Sequence, residues 1–247
     1  MRLTVLGCAG SFGRPDSPCS SYLVTHGGSR LLVDIGPGAL GALQDHGGLY
    51  DLDAVVVSHL HADHCLDLAG YVVARRYRPG GPPPPVDLHG PAGTRERVAE
   101  IYGQGEAGYD DVYRHHLLEP GERRIGPFTV TAVRVAHPVE AYALRISAGG
   151  RSLTYSGDTG PCDALVGLAR DTDLFLCEAS FVTGRDTVEG VHLTGRQAGE
   201  HATRAGARRL LLTHLVAWND DEEVRAEAAQ TYAGPLHLAR PGTSYQV

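Results

Sequence analysis

The apolar run Ala54-Val55-Val56-Val57 ends abruptly in Ser58-His59-Leu60-His61-Ala62-Asp63-His64, and this junction constrains the fold more than any other part of the chain. A short β-branched run followed by polar residues reads as a buried strand feeding a loop. In an extended loop residues i and i+2 point the same way, so His59 and His61 can hold one ion together. Asp63 and His64 come just after, where a helix can begin, and they face elsewhere. Imidazole and carboxylate are the ligands that zinc and similar divalent ions prefer. One short loop can therefore serve two adjacent metal ions. Such a loop needs rigid neighbours, and strand ends provide them.

The gross numbers bound the rest. The 247 residues suffice for one large domain, and no internal repeat or long linker divides residues 1–247. No apolar stretch approaches the roughly 20 residues of a membrane span, so no membrane partner is expected. Residues 1–7 read as a first strand, not as a signal peptide. Five cysteines without C-x-x-C spacing fit reduced thiols and a cytoplasmic location. The net charge of −7 argues against a nucleic-acid backbone as partner. All 22 basic residues are arginine, which excludes Schiff-base and lysine-nucleophile chemistry.

Strands are expected at 2–6, 20–25, 30–34, 53–58, 86–89, 127–135, 141–147, 151–156, 173–177, 208–213 and 235–238. Helices are expected at 38–46, 65–77, 92–102, 161–169, 194–205 and 220–232. The proline-rich segment 79–85 reads as a stiff surface connector. Residues 104–124, rich in charge and turn formers and holding His115 and His116, read as a loop region over or beside the site. Two sheets with helices outside satisfy this count, giving an α/β fold of four layers, an α/β/β/α sandwich.

Three more ligand-type residues stand just past apolar strand runs: His137, Asp158 and His214. With the opening string they make five histidines and two aspartates. That set fills two ions with three protein ligands each and a shared carboxylate.

These residues resemble the metallo-β-lactamase superfamily, and the resemblance covers nearly the whole chain. His59-x-His61-x-Asp63-His64 looks like its hallmark motif, and Asp34 resembles the aspartate that ends an early strand and braces the metal loop. The resemblance implies that His59, His61 and His137 bind one ion, that Asp63, His64 and His214 bind the other, and that Asp158 bridges them. It implies two divalent ions, with Zn²⁺ expected and Mn²⁺ or Fe²⁺ as alternatives. The segment His192-Leu193-Thr194 resembles the His-Ser/Thr motif of ribonuclease Z-like phosphodiesterases, in which the histidine is thought to protonate the leaving oxygen. Glu178, in Glu178-Ala179-Ser180-Phe181, resembles that group's glutamate and is expected to orient His192.

Ribonuclease Z carries its tRNA-binding arm between the third metal histidine and the bridging aspartate. Here that interval, 137–158, is taken up by two expected strands, which argues against tRNA processing. Several strings, among them residues 6–11, 58–68, 155–160 and 176–180, resemble the atypical class II-like cyclic-AMP phosphodiesterases of actinobacterial type. The function implied is hydrolysis of small cyclic nucleotides such as 3′,5′-cyclic AMP through a metal-bridging hydroxide. Asp63 or Asp158 would hold the nucleophile and His192 would act as general acid. A thioesterase or lactonase on the same metal pair is the alternative, and tRNA 3′ processing ranks below it. Related phosphodiesterases often dimerise, so the resemblance also suggests a homodimer. Arg75 and Arg76 read as salt-bridged surface residues. Trp218 reads equally as a base-stacking ring or as a core or dimer contact.

Overall fold

A computed structural model describes residues 1–103 and 109–247. The strands are β1 (Arg2–Gly7), β2 (Ser21–His26), β3 (Ser29–Val33), β4 (Ala54–Val56), β5 (Val86–Gly90), β6 (Tyr113–Leu117), β7 (Gly121–Ile125), β8 (Phe128–Arg134), β9 (Tyr142–Ala148), β10 (Arg151–Tyr155), β11 (Leu174–Glu178), β12 (Leu210–Thr213), β13 (Leu236–Leu238) and β14 (Ser244–Gln246). The helices are α1 (Ala39–Gln44), α2 (Ala62–Cys65), α3 (Leu68–Arg76), α4 (Thr94–Tyr102), α5 (Asp163–Leu168), α6 (Gly195–Ala205) and α7 (Asp221–Ala229).

The strands form two mixed sheets, ordered β14-β1-β2-β3-β4-β5-β6 and β13-β12-β11-β10-β9-β8-β7. In the first, β14 through β3 pair antiparallel and β3 through β6 pair parallel. The second has the same plan: β7 through β10 antiparallel, β10 through β13 parallel. Strand alternation sorts the side chains between layers. Ala54 and Val56 face the core between the sheets, with Leu31, Val33, Leu144 and Leu176. Val55 and Val57 face outward under Leu43, Leu68, Val72 and Val98 of the helices on the first sheet. Phe175, Cys177, Leu210 and Leu212 do the same beneath α5, α6 and α7 on the second. A parallel strand covered on both faces has no polar side to show, which is why residues 54–57 read as an unbroken apolar run. The four-layer α/β/β/α sandwich expected from the sequence is the observed architecture.

The expected loop at 104–124 needs correction. Residues 104–108 lie outside the described residues, but 113–117 and 121–125 are strands β6 and β7, the outer edges of the two sheets. Each β6 residue pairs in register with β5, from Val86↔Tyr113 to Gly90↔Leu117. Edge strands carry charged and polar side chains that blunt further pairing, and that composition disguised them as loop. The expected helix at 65–77 is divided into α2 and α3, and α2 begins at Ala62, so Asp63 and His64 lie within it. β14 was not expected at all. Arg75 is also corrected: it is buried and donates to the Tyr71 hydroxyl and the Pro84 carbonyl. Arg76 does pair with Asp111.

The interval between His137 and Asp158 is filled by β9 and β10, joined at Gly149-Gly150. Both glycines have positive φ, 58° and 71°, as the tight turns of two-residue hairpins require. No helix among the described residues is long and apolar enough to cross a membrane.

Candidate metal centre and its flanking histidine

Five of the seven candidate ligands sit just beyond a strand end, and Asp63 and His64 lie in α2. His59 and His61 follow β4 and His137 follows β8; Asp158 follows β10 and His214 follows β12. The two sheets thus present their ends to one another, and the side chains meet although the chain separates them widely. His59 Nε2 lies 3.2 Å from His61 Nδ1, and His137 Nε2 lies 3.1 Å from the same atom. Asp158 Oδ2 is 3.6 Å from His59 Nε2. In the second cluster His64 Nε2 lies 3.2 Å from His214 Nε2, which is 3.0 Å from Asp63 Oδ2. Asp158 touches this cluster too, with Oδ1 3.3 Å from His64 Nε2 and Oδ2 3.3 Å from His214 Nε2. All seven residues named from the sequence come together in two groups that share Asp158.

The donor set suits divalent ions. A tetrahedral ion with bonds of ~2.0–2.1 Å holds its ligand atoms ~3.3 Å apart, close to the spacings here. Asp158 Oδ1 is buried without a hydrogen-bond partner, which is costly unless a cation is there. Burial, reinforced by the charge of His64, pushes the His59 imidazole well below its ordinary pKa. Burial also lowers His61 and His137. All three therefore favour the neutral form that a metal ligand needs. Burial alone would raise the two carboxyls. Hydrogen bonds from His214 and His64 hold Asp63 far below the usual range, and the charges of His214 and His64 do the same for Asp158.

Further contacts aim these rings. His64 Nδ1 donates to Asp34 Oδ2 at 2.8 Å, which leaves Nε2 for the cluster. Asp34 also accepts from Ser58 N and Oγ and from the Tyr155 hydroxyl. Its backbone is left-handed, with φ 56°, a cost that these four bonds offset. His137 Nδ1 donates to the Val191 carbonyl at 2.9 Å. His214, also left-handed at φ 55°, has Nδ1 2.6 Å from Ser180 Oγ. Gly10 is required beside it, because a Cβ there would stand 2.6 Å from the His214 carbonyl oxygen. Sequence reasoning missed Ser180 and Tyr155 as supports. Ser180 stands two residues from Glu178, but its link to His214 spans 34 residues and depends on sheet packing.

His192 lies next to these clusters. Its ring centroid is 5.3 Å from that of His214 and 5.7 Å from that of His137. Nδ1 donates to Glu178 Oε1 at 2.9 Å, and Glu178 is fully buried. Glu178 is held in turn by Thr159 N and by the N–H and hydroxyl of Ser180. Burial opposes a charge on His192, but the adjacent Glu178 carboxylate outweighs it and raises the pKa to about 9. Two residues on, Thr194 caps α6 in a capping box with Gln197, which fixes the chain direction at His192. Cys65 is not part of the clusters; its thiol donates to the carbonyls of Leu60 and His61.

Residues 29–215 match the Beta-lactamase superfamily domain. The chain belongs to that superfamily. This metallo-β-lactamase-fold chain is 44% identical over 253 residues to the uncharacterized protein Rv1339 of Mycobacterium tuberculosis, covering all of this chain and 92% of that one. It is 32% identical over 250 residues to the probable metallo-hydrolase YhfI of Bacillus subtilis, covering 98% of each. The crystal structure of that metallo-β-lactamase fold protein superposes with a TM-score of 0.88 at 29% identity, covering 99% of both chains. A ribonuclease Z of Myxococcus xanthus is 29% identical over 303 residues, covering all of this chain and 98% of that protein. The chain is accordingly a metal-dependent hydrolase of the superfamily, with ribonuclease Z-like relatives.

Proposed function

We propose that this hydrolase cleaves small phosphodiesters, with 3′,5′-cyclic nucleotides such as cyclic AMP as its substrate class. In this reading His59, His61 and His137 would hold one divalent ion, Asp63, His64 and His214 would hold a second, and Asp158 would serve both. Such ions would supply Lewis acidity that lowers the pKa of a water and positive charge that offsets the phosphoryl oxygens. The chain's own residues do the rest. Asp63, whose Oδ2 accepts from Ser11 N at 2.9 Å, or Asp158 would hold and orient the attacking hydroxide, the water's proton having left to solvent. His192 donates its Nε2 proton to the departing ribose oxygen, while Glu178 holds the ring and its charge.

The observation that carries the reading is the His192–Glu178 pair at the edge of a two-ion donor set. A poor alkoxide leaving group needs an acid; a thiolate or an enol-like leaving group does not. Two features favour small diesters over tRNA. The segment between His137 and Asp158 consists of β9 and β10, with no room for an arm, and the net charge is −7.

The test is metal analysis with one panel: 3′,5′- and 2′,3′-cyclic nucleotides, a nitrophenyl phosphodiester, a lactone and a thioester. Cyclic-nucleotide turnover that depends on bound metal is expected. Carboxyl-ester or thioester turnover with no phosphodiester turnover would overturn the proposal.

A further inference from the structure

Two cavities flank His192 outside the metal clusters. One, of about 300 Å³, is walled by Phe181, Val188, Val191, Val216 and Trp218. The other, of about 560 Å³, runs past Pro161 toward Thr194 and Gln197 and shares Phe181 and Val188. The five aromatic and aliphatic side chains form one side of the smaller cavity, and Ser11, Ser180, Arg185, Asp186 and His192 form the rest. The Phe181 ring stands edge-on to His192, with centroids 5.0 Å apart at 82°. Trp218 is 67% exposed and Val188 63%, although large apolar side chains usually bury themselves. Trp218 leans on Phe12, itself 42% exposed, at a centroid distance of 5.1 Å. A cluster of exposed apolar side chains around a catalytic cleft marks a surface that a ligand covers.

Charge decides what kind of ligand. Among the described residues lining these cavities, Arg185 is the one guanidinium, and its Nη2 is committed to Asp186 Oδ2 at 2.6 Å and Asn219 Oδ1 at 2.8 Å. Asp186 and Glu189 add negative charge. Apart from His192, which the reading assigns to the scissile diester, and Arg185, tied to Asp186 and Asn219, these cavities offer a second phosphate no cation, whereas an uncharged flat ring finds an indole face and a rim of valines. A cavity of about 300 Å³ lies at the lower end of small-molecule sites and admits one ring system, not an oligonucleotide.

We infer that this cavity seats the nucleobase of a mononucleotide diester beside His192, with Trp218 as the stacking platform. The inference rests on the phosphodiesterase reading and deepens it, because it confines the substrate to one phosphate and one base. Base–aromatic stacking accepts any base, so the cavity selects for the presence of a ring more than for its identity.

Trp218 is the only tryptophan in the chain, so its fluorescence reports the cavity directly. Adenosine 5′-monophosphate is expected to quench the metal-loaded wild-type protein saturably, and ribose 5-phosphate to leave it unchanged. Trp218→Ala is expected to raise KM for 3′,5′-cyclic AMP roughly 5- to 100-fold, with kcat within about twofold. It leaves KM for the abasic 3′,5′-cyclic ribose phosphate within about twofold. Trp218→Phe keeps most of the binding. Val188→Asp, at an exposed position that does not threaten the core, raises KM for cyclic AMP in the same selective way. Normal cyclic-AMP turnover without quenching, or equal KM changes on both esters in Trp218→Ala, overturns the base pocket alone. No turnover of any cyclic nucleotide by the wild type overturns the phosphodiesterase reading beneath it.

Discussion

The Nδ1–H of His192 is committed to Glu178, so Nε2 is the nitrogen left to meet a substrate. His192→Ala is expected to keep both metals and to lose 10²–10⁴-fold in kcat on cyclic nucleotides. The loss on nitrophenyl diesters, whose leaving group needs no proton, is much smaller; equal losses on the two would remove the acid role. Glu178 acts through His192, and its signature is a pH profile. The Glu178 carboxylate keeps His192 protonated up to about pH 9. Without that charge the imidazolium is less favoured, its pKa falls, and the alkaline limb of kcat moves to lower pH. Glu178→Gln should therefore shift that limb acidward on cyclic AMP and leave the nitrophenyl diester profile in place. A lower rate with an unmoved limb would reduce Glu178 to a structural support for Thr159 and Ser180. His192 and Glu178 were legible in the sequence because each lies in a short distinctive string. Tyr155 was not legible: it reaches Asp34 across 121 residues, and only the packing of one sheet on the other brings them together.

At the scale of elements, the legible strands were those with apolar runs or glycine turns, and the misread ones were the polar edges. β6 shows why. Its His116 takes Asp87 Oδ1 at 2.9 Å and stacks on His89 of β5 with centroids 4.5 Å apart. A sequence reader sees adjacent histidines among charges; the fold uses them as cross-strand partners. The pairing leaves a pH signature. Burial, with the nearby charges of His116 and Arg123, lowers His89 to about 4. The unfolded chain binds a proton at His89 near pH 6.5, whereas the folded chain refuses it until about pH 4. Stability from this residue is therefore full at neutral pH and is lost as pH falls from about 6.5 to about 4, with no further loss below. The ring is partly exposed, so solvent screening reduces the effect to ~1–2 kcal/mol. His89→Gln, which cannot charge, should lose ~1–2 kcal/mol less stability than wild type between pH 7 and pH 4.5. Urea denaturation of both proteins at the two values measures that difference; identical losses would show that His89 protonates freely in the folded state.

For the whole molecule, the candidate site does more than chemistry, because its ligands come from opposite sheets. His59, His61 and His64 belong to the first sheet's strand ends and helix α2; His137, Asp158 and His214 belong to the second. An ion held by both ties the sandwich together at one edge, while the core between the sheets holds the remainder. An ion that binds only the folded state at 100 times its Kd adds ~2.7 kcal/mol. In a domain of this size 1 kcal/mol moves Tm by ~2–4 °C, so a single tightly held ion is worth ~5–10 °C. Chelation and dialysis should lower Tm by at least that amount and abolish turnover, and readdition of a divalent ion should restore both. His137→Ala, which removes a second-sheet ligand, should reduce the metal-dependent part of the shift while leaving the Tm of the stripped protein nearly unchanged. A Tm indifferent to chelation, with metal still bound at stoichiometry beforehand, would place the rigidity of the site elsewhere. It would then reside in the frame of Asp34, Ser58, Tyr155 and Ser180, which already aims His64 and His214 before any ion arrives.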